Sequence, residues 1–125
     1  MPYRKLNVYQ KAYRQALEIH KITLGFPKSE QFAMARQLRG STKSIAVNIA
    51  EGMGKQESDA DVKHYIRTAL GSCDEVRVWL DFAKDLSYID AQTYQNQFDA
   101  YCEIGRMLNG LIKRFSKSKA ELLSS

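Results

Sequence analysis

Residues 59–86 read DADVKHYIRTALGSCDEVRVWLDFAKDL. Val62, Ala69, Val76 and Ala83 recur every seven residues. Tyr65, Ser72, Trp79 and Leu86 lie three positions further on, and Ile66, Cys73 and Leu80 lie four further on. That pattern is the apolar stripe of one long helix, broader than the seam of a two-stranded coiled coil. Downstream, Tyr94, Tyr101, Leu108 and Phe115 repeat the heptad, flanked by Phe98, Ile104, Leu111 and Ile112. Upstream, Tyr9, Ala12, Tyr13, Ala16, Ile19 and Ile22 mark one amphipathic segment, and Met34, Leu38, Ile45 and Ile49 mark another. Three breaks separate these stripes. Gly25-Phe26-Pro27 stops one helix before Lys28-Ser29-Glu30 restarts the chain. Residues 52–61 are rich in Gly, Ser and Asp, and residues 87–90 end in Asp90, a natural N-cap. The reading is four helices, at about 6–25, 30–51, 59–86 and 90–118, in a single domain over residues 1–125. Short links favour antiparallel neighbours, so the predicted fold is an all-α, antiparallel up-down four-helix bundle.

The composition suits that reading. The chain has 125 residues, 44% hydrophobic and 26% charged, enough to bury a core without metal or disulfide support. No apolar run approaches the roughly 18 residues that span a bilayer, and the opening MPYRKLNVYQK has charge but no apolar core of a signal peptide. Cys73 and Cys102 are too few and too far apart for a disulfide framework or a zinc motif. A cytoplasmic protein with reduced thiols and no membrane partner is expected. The net charge of +5 is unevenly spread. Residues 1–50 carry nine Lys/Arg against two Asp/Glu, residues 51–103 five against eleven, and residues 104–125 five against one. Two basic segments therefore flank an acidic one. This layout suits a phosphate-binding surface, and equally head-to-tail association between copies.

Residues 37–56 read QLRGSTKSIAVNIAEGMGKQ. Ser41, Ser44, Asn48 and Glu51 fall three and four apart along one side of a helix, a polar ladder. Buried, such a ladder must be hydrogen-bonded, or each orphan group costs about 1–3 kcal/mol. Ala46 and Ala50 beside it allow close helix approach, which favours a structural network over a ligand pocket. Gly52 and Gly54 are read as the helix stop. Arg36, Arg39 and Lys43 share the outer face, with Lys55 just beyond. On the last helix Arg106, Lys113 and Lys117 form a stripe with Arg114 beside it. Such stripes are the electrostatic footprint of a nucleic-acid backbone contact; the alternative is a solvated face.

The stretch Ser44–Gly52, SIAVNIAEG, resembles the signature of the small proteins encoded in intervening sequences of bacterial 23S rRNA genes. The resemblance extends over about residues 6–115. Related to that family are the accessory variability determinant proteins of diversity-generating retroelements. Lys55 departs from the pattern, where the family often has Arg. The resemblance implies a four-helix bundle that assembles as a homopentamer and associates with RNA or DNA. In the retroelement branch it implies a reverse transcriptase partner.

Nothing in the sequence specifies a reaction. His20 and His64 stand alone, without a second ligand at helical spacing. Asp59 and Asp61 suit the start of a helix dipole. Cys73 and Cys102 read as buried structural thiols, and Cys73 has Asp74 and Glu75 as neighbours, the wrong charge to activate a nucleophile. No phosphate loop, nucleophile elbow or paired-carboxylate motif occurs. No catalytic residue, metal site or cofactor is therefore assigned. The expected function is a non-enzymatic oligomeric scaffold with little sequence preference for the nucleic acid it binds. The alternatives are an accessory protein to a reverse transcriptase and, from another class, a small RNA-processing enzyme, which lacks a visible acid–base pair.

Overall fold

The computed structural model describes residues 2–55 and 58–116. A short 3-10 turn at Tyr3–Lys5 leads into α1 (Asn7–Leu24), and a second at Lys28–Glu30 precedes α2 (Met34–Lys55). The chain continues through α3 (Asp59–Asp85) and α4 (Ala91–Ser116), and the described residues contain no strand. The helix starts follow from capping chemistry. Ser58 Oγ accepts the Asp61 N–H at 3.1 Å, with Asp59 and Asp61 in the first turn of α3, where negative charge suits the helix dipole. Asp90 Oδ1 accepts the Thr93 N–H at 2.7 Å, and that bond holds its carboxyl below the ordinary carboxylate range. The end of α3 is closed by Ser87 at φ 63°, which lets the Tyr88 N–H reach the Ala83 carbonyl at 2.8 Å.

Each helix packs on its two neighbours in chain order, and α1 closes on α4; among the described residues the backbones of the diagonal pairs stay more than 8 Å apart, Cα to Cα. Numbering runs in opposite directions across the seams. Ser44 meets Ser72 and Gly52 meets Tyr65 between α2 and α3, while Cys73 meets Tyr101 and Asp81 meets Tyr94 between α3 and α4. This is an all-α, up-down four-helix bundle. Its core is one continuous cluster that includes Ala12 and Ile19 from α1, Leu38, Ile45 and Ile49 from α2, Ile66, Val76 and Leu80 from α3, and Tyr101, Ile104 and Leu108 from α4. Val62, Ala69, Val76 and Ala83 of α3 are all buried. The α1–α4 seam is the narrowest, and polar. Lys11 pairs with Glu103, Gln15 donates to Gln97 Oε1 at 3.0 Å, and Gln97 donates to Glu18 Oε2 at 3.0 Å.

Two features differ from the sequence expectation. The second helix spans 34–55 rather than 30–51. Its start is displaced because residues 28–30 form their own turn. There the Gln31 side chain donates to the Thr23 and Phe26 carbonyls at 2.9 and 3.0 Å. Its end is displaced because Gly52 is no stop. The helix runs through both glycines, and Gly52 is buried against α3, where an added Cβ would stand 2.8 Å from Tyr65 Cβ. The glycine permits the close approach of two helices. Secondly, Tyr13 and Leu86, placed on apolar stripes, are about half exposed at 51% and 48%.

Arg39 locks the corner between α1 and α2. Its Nε donates to Thr23 Oγ1 at 2.7 Å and its Nη2 to Gln31 Oε1 at 2.8 Å. Thr23 is fully buried; its hydroxyl donates to the Ile19 carbonyl at 2.9 Å, and Arg39 fills its acceptor side, which water does not reach.

These contacts predict the outcome of four substitutions. Gly52→Ala is destabilising by about 1–2 kcal/mol, because overpacking at the α2–α3 seam outweighs the gain in helix propensity. Gly71→Ala, in the interior of α3 with nothing within 4 Å of the new Cβ, stabilises by about 0.5–1 kcal/mol. Urea denaturation of both variants checks the pair. In the same assay Arg39→Ala costs about 1–3 kcal/mol through lost charge-assisted hydrogen bonds, whereas exposed Arg36→Ala stays within about 0.5 kcal/mol of the parent.

Candidate nucleic-acid interface

The basic residues divide by what they touch. On α2, Arg36 and Lys43 are exposed, and Arg39 is turned into the α1–α2 corner. The three share a stripe by spacing, but a long side chain beside a buried threonine makes one of them part of the fold. On α4, Arg106, Lys113 and Arg114 are all exposed. Between Ile104 and Ser116 they are the only charged residues, and none has a carboxylate within ion-pair distance among the described residues. Arg106 and Lys113 are two turns apart and lie on one stripe. Lys117 lies outside the described residues, as does the side chain of Lys55.

The polar ladder of α2 separates into two parts. Ser41 donates to the Gln37 carbonyl at 2.9 Å. Ser44 Oγ shares a hydrogen bond of 2.9 Å with Ser72 Oγ on α3, and Asn48 Nδ2 donates to the Ser44 carbonyl at 2.8 Å and to its hydroxyl at 3.1 Å. These groups satisfy one another on the α2–α3 seam. Glu51, the fourth member, is exposed and lies on the rim of a groove between α1 and α2.

That groove is a feature the sequence reading missed. It encloses about 520 Å³ and is lined by Tyr9, Tyr13, Leu17, Lys43, Val47 and Ala50, among others. Leu17 and Val47 are each 52% exposed. Their positions off the core stripes of α1 and α2 were the available signal. A second exposed apolar row, Val78, Phe82 and Leu86, runs along α3.

The cysteines also divide. Cys73 is fully buried and donates to the Tyr101 carbonyl at 3.0 Å; burial pushes its thiol up to about 11, so it stays protonated at neutral pH. Cys102, expected to be buried, is half-buried, and Arg77 Nη1 donates to its sulfur at 3.7 Å. Arg77 also pairs with Asp74. Among the described residues no group of three or more His, Cys, Asp or Glu could hold a metal ion, and no helix is long and apolar enough to cross a membrane. The arrangement offers cationic surface and apolar surface side by side.

The comparisons with known proteins agree with the bundle. The chain is similar to a solved protein of unknown function from the S23 ribosomal protein family of Bacteroides thetaiotaomicron. The TM-score is 0.79 with 26% identity, over 90% of this chain and 99% of that one. No curated protein matches the chain. The model of the 23S rRNA-intervening sequence proteins matches residues 4–110, from the first turn into α4, and ends before Lys113 and Arg114. The chain belongs to the 23S rRNA-intervening sequence protein family.

Proposed function

We propose that this protein is a non-enzymatic, self-assembling scaffold that binds the phosphate backbone of RNA or DNA through the C-terminal half of α4. The observation that carries the proposal is the unpaired cationic stripe of Arg106, Lys113 and Arg114. Cations in the last turn of a helix also complement its dipole, which accounts for Lys113 and Arg114 in part. Arg106 sits well before that turn, where the Glu103 carboxylate three residues back lies near enough to feel its charge without forming an ion pair. Cations on a helix face go first to phosphate oxygens, so the contact recognises backbone with little sequence preference. Membership in a family named for a 23S rRNA intervening sequence favours RNA as the natural ligand and the bacterial cytoplasm as its setting. Assembly, as a pentamer by resemblance to that family, multiplies weak contacts into useful avidity.

The test is fluorescence anisotropy with unstructured RNA and duplex DNA across a salt series. The triple variant Arg106→Glu, Lys113→Glu, Arg114→Glu binds more weakly and loses about 2–3 from the log–log salt slope, at about 0.7–0.9 per phosphate contact. Its helicity by circular dichroism matches the parent. Equal affinity of parent and variant at every salt concentration removes α4 as the site. Failure of the parent to bind at low salt removes nucleic acid from the function.

A further inference from the structure

Two apolar surfaces of the bundle are left uncovered by the described residues. One is the α1–α2 groove, with Leu17 and Val47 on its walls and Leu24 and Phe32 beyond its end, exposed at 62% and 88%. The other is the α3 row of Val78, Phe82 and Leu86. Scattered exposed apolar residues need no explanation, but two aligned sets on helical spacing mark contact surfaces. Because α1 and α3 sit at diagonal corners of the bundle, the row cannot fill the groove of its own chain.

We propose that the α3 row of one copy docks in the α1–α2 groove of the next. Charge is the first argument. The row is flanked by exposed Asp74, Glu75, Asp81 and Asp85, with Arg77 and Lys84 the opposing charges along the same stretch. The groove side carries exposed Arg14 and Lys21, which share a stripe with Leu17 and Leu24. Arg36 and Lys43 stand exposed on α2. Glu51 on the rim is the exception. Length is the second argument. Val78 to Leu86 spans nine residues, about 12 Å of helix from first to last, and the α2 wall from Lys43 to Glu51 spans the same. Form is the third. A ridge that differs from its groove makes a heterologous contact, which closes into a ring or propagates, and does not produce a two-fold dimer. The proposal rests on the self-assembly part of the function above and assigns its surfaces. It also gives Lys43 a role in subunit contact and leaves the α4 stripe free for nucleic acid.

The experiment uses two variants of the full chain, measured by sedimentation velocity and circular dichroism. The groove variant carries Leu17→Glu and Val47→Glu; the ridge variant carries Val78→Glu and Phe82→Glu. All four positions are about half exposed, so helicity should match the parent. If either variant loses helicity, Leu17→Ser and Phe82→Ser are read in the same way. The parent sediments as an oligomer. Each variant alone is a monomer, with association weaker by about thirtyfold or more, as expected for loss of a central apolar anchor. A one-to-one mixture forms a heterodimer and nothing larger, because only one intact groove and one intact ridge remain. An oligomer formed by either variant alone, or a mixture that stays monomeric, overturns the assigned surfaces while leaving assembly itself standing. A monomeric parent overturns assembly and this inference together, and does not touch nucleic-acid binding by α4.

Discussion

The α2 backbone passes close to Tyr65 of α3 because residue 52 has no side chain; a Cβ there would come within 2.8 Å of Tyr65 Cβ. The rest of the bundle is organised around that approach. It lets α2 continue as a helix to Lys55 and keeps Met53 fully buried beneath it. Two turns earlier the same seam is closed by Ser44 on Ser72, with Asn48 stacked on Ser44. Small and hydroxyl-bearing residues thus bring two long helices together. The hydroxyls use their hydrogen-bonding capacity on each other and on backbone, which is the condition for placing polar groups there at little cost. The signature stretch SIAVNIAEG is therefore first a packing device. Its alternate residues, Val47 and Ala50, face the other way, into the α1–α2 groove.

This division accounts for what was legible in the sequence. The fold was readable because α3 and α4 repeat apolar residues over many turns, and the periodicity is set by burial within the chain itself. The Asp90 cap was readable because capping is local: the acceptor and the amide it satisfies are three residues apart. The glycines were not readable in the same way. A glycine that ends a helix and a glycine that admits a neighbouring helix look alike in one chain, and Tyr65, which decides between them, lies 13 positions away. Arg39 was placed on a basic stripe by spacing alone, and spacing does not say that a guanidinium will swing back to a buried Thr23 hydroxyl. Cys102 was assigned to the core, and the Arg77 that reaches it comes from another helix.

Function follows from the surfaces left over. The core takes the inner stripes of all four helices, and the α2–α3 seam takes Ser41, Ser44 and Asn48 of the ladder. What remains outside is a cationic stripe on α4, an apolar groove bordered by cations on α1 and α2, and an apolar row bordered by carboxylates on α3. None of these is an enclosed cleft with opposed acid and base groups. All are open surfaces. Membership in the 23S rRNA-intervening sequence protein family and the likeness to a solved S23 family protein fit a chain whose identity lies in its shape and charge.

The account makes the α2–α3 seam the most stable part of the molecule and the narrow, polar α1–α4 seam the weakest. Native-state hydrogen exchange tests this directly, since each amide reports the opening that exposes it. Amides from Ala46 through Met53 and from Ile66 through Cys73 should exchange only through global unfolding, with protection extending past Gly52. Amides of α1 should exchange through a smaller opening in which α1 leaves α2 and α4. Protection of α1 equal to that of the α2–α3 centre, or loss of protection from Gly52 onward, would contradict the account.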